Sequence, residues 1–488
     1  MEMSQPPRRL MLSDLPTEIL QLILSNFCLH CHESDGVPLA HFPRKRQALD
    51  QPSWYSLDRQ ALYSACLVSR RFRDIAQPIL YHEFVPGYGS SHYSERYQWT
   101  GRFTSFLRTV AQRRDLANLV RDLYFHDWLR ASITLEPHIA EAALEESARA
   151  RGVNLSDFLE PFRGSPTQRL LEPYGPGASE LVAMLLFCLP NLTRICFDMD
   201  IPFPPIPASA LSAAGVRLPL QTIEVDAHGS ELRYVLGGVL ELSLPTLRTL
   251  NVDYYSSRSG DELGISDLFF PSLRKIIISR SEISGPDLQL LLSCCTGLET
   301  FIYDTLSSTY CIQPPKIIEY LSRHQETLTA VRLDLRDARI VENKLPFEPM
   351  PSLKKFPVLL NVSLNALFIY NDMNEQQDDD NVLCRLLPPS VVLLQLYDTV
   401  GTSTLARLSK GLHRLVDAAL LGQFPSLKEV RCYVREKFDD DLVRKFVDAG
   451  VYLDMILGPP SDVMPHRRSS ISAGPSIYTP QDNDHGED

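Results

Sequence analysis

The residues best suited to chemistry in this chain are two cysteines and several histidines that lie close together near the N-terminus. Cys28 and Cys31 have the spacing of a metal-binding pair, and His30, His32 and His41 lie beside them. Zinc sites are generally completed by a second, well-separated pair of ligands, and no such pair is evident in the sequence. A Cys-x-x-Cys pair alone is weak evidence. We therefore expect a loop after a helix here, with no metal site and no cofactor.

The motifs that mark most nucleophilic and phosphate-binding enzymes are missing from the sequence. It has no Gly-x-Ser-x-Gly turn, no glycine-rich phosphate loop and no His-Glu-x-x-His motif. The 12 histidines are dispersed along the chain. We expect no catalytic residues, and an enzyme with its site in a loop is the weakest interpretation.

A short apolar motif occurs nine times and is the strongest pattern in the chain. Each copy has an anchor followed by apolar residues three and five positions later, and successive anchors are 25 to 36 residues apart. This pattern is typical of leucine-rich strands in a solenoid, in which each repeat buries its apolar face against its neighbours. The nine anchors are Leu192, Leu220, Leu247, Leu273, Leu298, Leu328, Leu364, Val391 and Leu427.

Helix-like segments, for example 285–295 and 315–325, lie between successive strand motifs. Strands that alternate with helices at this spacing predict parallel strands side by side, with the helices outside. The predicted fold class is therefore α/β, with an irregular leucine-rich-repeat solenoid as its main part. An earlier strand is predicted at 119–125.

The residue six positions after each anchor changes from acidic to aromatic along the chain. Stacked in register, these residues would form an acidic row and then a tyrosine row, which could hold basic and apolar groups of a protein substrate. The alternative for the aspartates is local, because Asp often ends strands and caps the following turns. The candidate substrate-binding residues are Asp226, Asp253, Asp304, Asp334, Tyr370, Tyr397 and Tyr433.

Two stretches near the N-terminus resemble the F-box. They are Leu15-Pro16-x-Glu18-Ile19, with Ile23 and Leu24 following, and Leu67-Val68-Ser69-Arg70-Arg71-Phe72. Together with the loose leucine-rich repeats, this arrangement is similar to the F-box/leucine-rich-repeat proteins of fungi. In the usual motif the two stretches are nearly continuous, whereas residues 28–56 intervene here as an inserted loop.

The resemblance implies a three-helix module that binds a Skp-type adaptor and, through it, the cullin and RING subunits of an SCF-type E3 ubiquitin ligase. The chain would then be the non-catalytic substrate-recognition subunit, with an unidentified protein target on its repeats. The alternative is a scaffold of the same architecture that acts without ubiquitylation. The motif positions implied to bind the adaptor are Leu15, Pro16, Glu18, Ile19, Ile23, Leu24, Leu67, Val68, Ser69 and Phe72.

Composition is that of an ordinary soluble protein, with 44% hydrophobic and 22% charged residues among 488. A net charge of −12 argues against general binding to nucleic acid or to an anionic membrane. Ten scattered cysteines and the lack of an apolar signal segment favour a reducing compartment, the cytoplasm or the nucleus. The predicted regions are a flexible N-terminus (1–11), an F-box-like helical module (12–85), a linking region with the first irregular repeat (86–180), the solenoid (181–457) and a disordered tail (458–488).

Overall fold

A computed structural model describes most of the chain between Leu12 and Leu457. The described residues are 12–32, 47–89, 91–163, 178–198, 206–213, 218–226, 232–255, 268–305, 312–334, 348, 350–370, 379–397 and 402–457. The predicted flexible N-terminus (1–11) and disordered tail (458–488) lie outside them.

One sheet of parallel strands organises the described residues. Its 12 strands lie side by side in chain order, and each pairs in parallel with the next strand of the sequence. This arrangement confirms the predicted α/β class and is that of a solenoid. The strands are β1 (Glu83–Phe84), β2 (Asp122–His126), β3 (Arg194–Asp198), β4 (Thr222–Asp226), β5 (Thr249–Asp253), β6 (Lys275–Ser279), β7 (Thr300–Asp304), β8 (Ala330–Asp334), β9 (Asn361–Asn365), β10 (Leu393–Tyr397), β11 (Glu429–Val434) and β12 (Tyr452–Leu457).

Helices precede the sheet and connect most of its strands, as the alternation in the sequence predicts. The helices are α1 (Thr17–Ser25), α2 (Trp54–Val68), α3 (Arg70–Leu80), α4 (Arg102–Gln112), α5 (Arg114–Ala117), α6 (Asp127–Leu135), α7 (Pro137–Arg151), α8 (Leu155–Arg163), α9 (Ala178–Cys188), α10 (Ala208–Ala213), α11 (Leu232–Ser243), α12 (Gly285–Ser293), α13 (Pro314–Leu321), α14 (Val382–Leu386), α15 (Thr402–Leu420) and α16 (Asp440–Asp448). None of the described helices is both long enough and apolar enough to cross a bilayer.

The apolar motif folds as its spacing requires at eight of the nine anchors. Each of these anchors precedes its strand by two residues, so the third and fifth positions after it point to the same face. In β3 these positions are Ile195 and Phe197, which pair in register with Ile223 and Val225 of β4. All four side chains are buried in one continuous core between the sheet and the helices. Each repeat therefore buries its apolar face against its neighbours.

The seventh anchor, Leu364, is wrong by five residues. The strand there is β9, so Leu359 is the anchor and Leu364 is an inward-facing residue of the strand itself. Leu367 and Ile369 repeat the same apolar spacing, but Ala366–Phe368 form a 3-10 turn instead. The Asn365 side chain accepts a hydrogen bond from the Leu367 N–H at 3.1 Å and so starts this turn.

The first three helices pack together before the sheet begins. Helices α1 and α2 both contact α3, and their buried side chains form a small core of their own. Ser69 Oγ accepts a hydrogen bond from the Phe72 N–H at 3.2 Å, so Ser69 caps α3. Within the predicted inserted loop (28–56), His30–His32 form a 3-10 turn and α2 already begins at Trp54.

Truncating a leucine of the sheet core should destabilise the protein strongly. Leu333 in β8 is completely buried, so Leu333→Ala leaves a cavity and should lower the free energy of unfolding by about 2–5 kcal/mol. Leu421, which follows α15 and is 74% exposed, provides the control, and Leu421→Ala should change stability by less than about 0.5 kcal/mol. Urea unfolding of both variants checks this, and equal losses would contradict the observed packing.

Candidate functional site

The aspartates of the predicted acidic row are aligned on neighbouring strands, but most of them are buried. Asp198, Asp226 and Asp253 pair in register on β3, β4 and β5, and Asp304 pairs with Asp334 on β7 and β8. Four of these carboxylates are buried, and Asp304 alone among the five is half-buried. Most of the row is therefore enclosed by the fold, and direct contact with a partner is limited to its more exposed parts.

Buried groups of the fold neutralise much of the acidic row. Asp253 forms an ion pair with Arg280, whose Nε donates to Asp253 Oδ1 at 2.8 Å. The Tyr254 N–H also donates to Asp253 Oδ1 at 3.1 Å, so this aspartate holds the turn after its strand. This contact favours the local explanation of Asp253, in which the side chain caps a turn.

Contacts among Asp253, Tyr254 and Arg280 hold the turns after β5 and β6. Tyr254 and Arg280 have φ values of 51° and 49° and so lie in the left-handed backbone region, which residues other than glycine seldom adopt. The Arg280 guanidinium lies 4.2 Å from the centroid of the Tyr254 ring. This contact and the ion pair with Asp253 together hold both turns in their unusual conformation.

Asp334 is the most deeply buried carboxyl group of the row. Arg332 Nη2 donates to it at 3.2 Å, and Asn365 Nδ2 lies 3.5 Å from its other oxygen. Burial, together with the neighbouring charge of Asp304, raises the pKa of Asp334 to about 7. The group therefore takes up a proton near neutral pH, which reduces the negative charge that this part of the sheet offers a ligand.

A second group of buried charges lies on the same face of the first strands. Arg194 Nη1 is 4.0 Å from Asp122 Oδ2, and Arg194 Nε is 3.8 Å from Glu224 Oε1. All three side chains are buried, and burial raises the pKa of Asp122 to about 7. The charged side chains of this part of the face therefore interact mainly with one another inside the protein.

The tyrosine row is shorter than predicted. Tyr397 and Tyr433 are in register on β10 and β11, and their rings stack with centroids 4.6 Å apart. Tyr370 is wrong as a member of this row, because Asn365 is the residue in register with Tyr397. Tyr370 is buried in the core after β9.

The surface around Tyr433 is the more accessible part of this face. Tyr433, Arg431 and Gln395 are half-buried, whereas Tyr397 is buried beneath them. The Arg332 guanidinium lies 5.2 Å from the centroid of the Tyr397 ring. Tyrosine and arginine side chains of this kind are enriched at the centres of protein interfaces. We call Arg332, Gln395, Arg431 and Tyr433 the C-terminal sheet surface.

The N-terminal helices expose an unusual amount of apolar surface. Nine of the 20 large apolar side chains exposed in the described part of the chain lie between Leu12 and Val68. Among the ten motif residues, Ile19, Ile23, Leu67 and Val68 are exposed apolar groups. Pro16, Glu18 and Ser69 are also exposed, Leu15 is half-buried, and Leu24 and Phe72 are buried, Leu24 within the small core.

One arginine connects the two stretches of the motif. Arg71 Nη2 donates to the Leu15 carbonyl at 2.5 Å and lies 3.4 Å from Thr17 Oγ1. This contact holds the start of α1 beside the start of α3, which directly follows Leu67 and Val68. The exposed residues Pro16, Ile19, Ile23, Leu67 and Val68, which we call the apolar patch, therefore lie on elements that are fixed together.

Four side chains that could bind a metal ion lie close together in the structure. The sequence pattern did not predict this cluster, because its fourth member is far away in the chain. One ligand atom from each residue lies within 4.8 Å of every other. His32 is not among these four, and His41 lies outside the described residues. We call these four residues the Cys/His cluster: Cys28, His30, Cys31 and His82.

Hydrogen bonds within the Cys/His cluster divide the protons unequally between its thiols. The bond with Cys28, with further contributions from His30 and His82, lowers the pKa of Cys31 to about 2. The same bond, together with burial, raises the pKa of Cys28 well above its usual value. Cys31 is therefore the more acidic of the two thiols.

An aromatic cleft is another feature that the sequence did not reveal. It lies between the loop at 97–100 and α6, and Trp99, Trp128 and Leu135 line it. Trp128 and Leu135 are exposed. The cleft is apolar and open to solvent.

No protein-family model matches the chain, and no curated protein is detectably similar to it.

The raised pKa of Asp334 predicts a specific dependence of stability on pH. Its folded pKa of about 7 lies above the ordinary value of 3.8, so the folded state binds more protons between these pH values. The contribution of Asp334 is therefore most favourable below pH 3.8 and is lost as the pH rises to about 7, with a slope approaching about 1.4 kcal/mol per pH unit.

Urea unfolding across this pH range, with wild type and Asp334→Asn compared, checks the prediction. The stability of wild type relative to Asp334→Asn should fall as the pH rises and level off above about pH 7. Asp448→Asn, at the exposed last residue of α16, is the control and should leave the pH dependence unchanged. A pH-independent difference between wild type and Asp334→Asn would show that Asp334 is ionised throughout.

Proposed function

We propose that this chain is the non-catalytic substrate-recognition subunit of an SCF-type E3 ubiquitin ligase. Its N-terminal helices would bind a Skp-type adaptor and, through it, the cullin and RING subunits. The sheet of repeats would bind a protein target. Ligases of this type act in the cytoplasm and nucleus, and we propose that the chain acts there too.

The apolar patch carries this proposal. Pro16, Ile19 and Ile23 lie at motif positions that the resemblance to the F-box assigns to the adaptor, and so do Leu67 and Val68. A folded chain gains no stability from apolar side chains that remain in water, and a concentrated set of them is typical of an interaction surface. The motif and the exposed surface therefore coincide on the same residues.

Two motif residues have a different role in this proposal. Leu24 and Phe72 are buried, so they would support the adaptor surface without contacting the adaptor. Glu18 and Ser69 are exposed, and Ser69 also caps α3. A substitution at a buried position would disturb folding, so only the exposed positions test adaptor binding cleanly.

The mechanism that we propose is proximity. A receptor that holds its target near a ubiquitin-charged enzyme raises the effective concentration of the target lysine at the thioester. None of its own side chains has to make or break a bond. The repeats suit this role, because a solenoid presents a long surface on a rigid frame.

We propose that the C-terminal sheet surface is the main contact for the target. Tyr433, Arg431 and Gln395 are accessible there, whereas Asp226, Asp253 and Asp334 are enclosed and Asp253 and Asp334 have arginine partners. Asp304 and Tyr433 are the candidates from the sequence that a partner could touch directly. The buried aspartates would instead shape the turns at the end of the strands.

Adaptor binding is tested by a charge placed in the apolar patch. Val68→Asp should abolish binding to a recombinant Skp-type adaptor, because a carboxylate would be buried in an apolar interface. Val447→Asp on α16 is the matched control, since Val68 and Val447 are 68% and 71% exposed, and it should bind as wild type does.

Calorimetry with purified proteins measures this binding, and co-purification with cullin distinguishes the ligase from a scaffold. Wild type should recover both adaptor and cullin. Recovery of the adaptor without cullin would favour a scaffold that acts without ubiquitylation. Equal adaptor binding by wild type and Val68→Asp, or none by wild type, would contradict the proposal.

The proposed target surface is tested by removing one aromatic ring. Tyr433→Ala should reduce the recovery of target proteins from cells by tenfold or more, since a central interface tyrosine typically contributes about 2 kcal/mol. Tyr320→Ala on α13, also half-buried but on a helix, should leave recovery unchanged. Quantitative mass spectrometry of the captured proteins provides the measurement. The same loss in both variants would place the target elsewhere.

A further inference from the structure

We propose that the chain holds a structural zinc ion that joins the end of the first helix to the start of the sheet. This inference does not depend on the proposed function. The ligands would be the Cys/His cluster: Cys28, His30, Cys31 and His82.

The composition of the cluster suits zinc. Two thiolates and two imidazoles form the S₂N₂ set that is typical of tetrahedral Zn²⁺. The second pair of ligands, which is not evident in the sequence, consists of His30 and His82. His30 lies between the two cysteines, whereas His82 lies 51 positions after Cys31.

The spacing of the ligand atoms also suits zinc. Bond lengths of about 2.3 Å to sulfur and about 2.0–2.1 Å to nitrogen require ligand atoms roughly 3.3–3.8 Å apart in a tetrahedron. The Cys31 Sγ to His82 Nδ1 distance is 3.3 Å, and the Cys31 Sγ to His30 Nδ1 distance is 4.0 Å. All four atoms lie within 4.8 Å of one another, so small side-chain rotations would complete the tetrahedron.

A buried carboxylate supports the loop that carries three of the ligands. Glu83 Oε2 accepts a hydrogen bond from the His30 backbone N–H at 2.7 Å and lies 3.4 Å from Cys28 Sγ. Glu83 Oε1 pairs with Arg59 at 3.1 Å, which compensates the buried negative charge. Groups of this kind outside the ligands orient them and tune metal affinity.

The position of the cluster gives the metal a structural role. Cys28 lies three residues after the end of α1, whereas His82 lies between α3 and β1 and directly precedes β1. An ion shared between them would fix the three-helix module against the first strand of the repeats. If the proposed function is right, this joint would set the distance between the adaptor and the target.

The competing interpretation is a redox-active pair, because Cys-x-x-Cys is also the spacing of a disulfide. In the structure Cys28 and Cys31 are both free thiols. A disulfide would leave His30 and His82 without a common partner, whereas a metal explains why both rings approach the same sulfur atom.

Cobalt(II) provides a direct test, because tetrahedral cobalt–thiolate sites absorb visible light and show thiolate-to-metal charge transfer. Full-length protein, reduced and stripped of metal by a chelator, is titrated with Co²⁺ and the complex is then competed with Zn²⁺. Wild type should bind one Co²⁺ with a tetrahedral spectrum that Zn²⁺ removes. The same Zn²⁺ addition should raise the melting temperature of wild type.

Matched variants separate ligands from neighbouring residues. Cys31→Ser and His82→Ala should weaken metal binding by roughly a hundredfold or more and abolish the shift in melting temperature. Cys66→Ser, at a half-buried cysteine of α2, and His32→Ala, at the histidine that directly follows Cys31 in the sequence, should behave as wild type does. Cys31 is exposed, so its substitution should not prevent folding.

Three results would overturn the zinc site. One is the absence of a charge-transfer band in reduced wild-type protein. Another is an equal loss of metal binding in the two control variants. The last is recovery of a Cys28–Cys31 disulfide, by mass spectrometry of protein purified with excess Zn²⁺ and without reductant.

Discussion

In-register pairing of short parallel strands is the constraint on which the rest of this structure depends. Each strand places its third and fifth residues after the anchor in the core, so the alternating residues must all lie on the opposite face. Register then stacks equivalent positions, and for that reason Asp198, Asp226 and Asp253 form a row. Such a row concentrates like charge, and the fold counters it with Arg280 and Arg332, while burial raises the pKa of Asp334. Charge that is needed inside the protein is no longer available to a partner.

The surfaces that remain accessible to partners lie in the N-terminal helices and on the last strands of the sheet. At the N-terminal end, three short helices form a core too small to cover their own apolar side chains, which leaves the apolar patch in water. Toward the C-terminal end, the row changes from carboxylates to tyrosines, and Tyr433 stays accessible. The Cys/His cluster lies between the helices and the first strand, where the two parts of the chain must be held together.

Local patterns in the sequence predicted the parts of the fold that depend on local spacing. The strand motif and the alternation with helices depend on residues close to one another in the sequence, and the structure confirms them. The Leu364 anchor failed because Leu359, Val362 and Leu364 overlap a second copy of the same spacing, and only register with β10 decides between them. The burial of Asp334 and the approach of His82 to Cys31 depend on contacts between distant segments, which no local pattern encodes.

The central claim is that one end of the chain attaches to a ligase while the repeats remain available for cargo. Hydrogen–deuterium exchange of the full-length chain, with and without a Skp-type adaptor, measures this most directly. Slower exchange confined to α1 and to the junction of α2 with α3, with β10 and β11 unchanged, is the result that this account predicts. Protection centred on the strands, or no change anywhere in the helices, would contradict it.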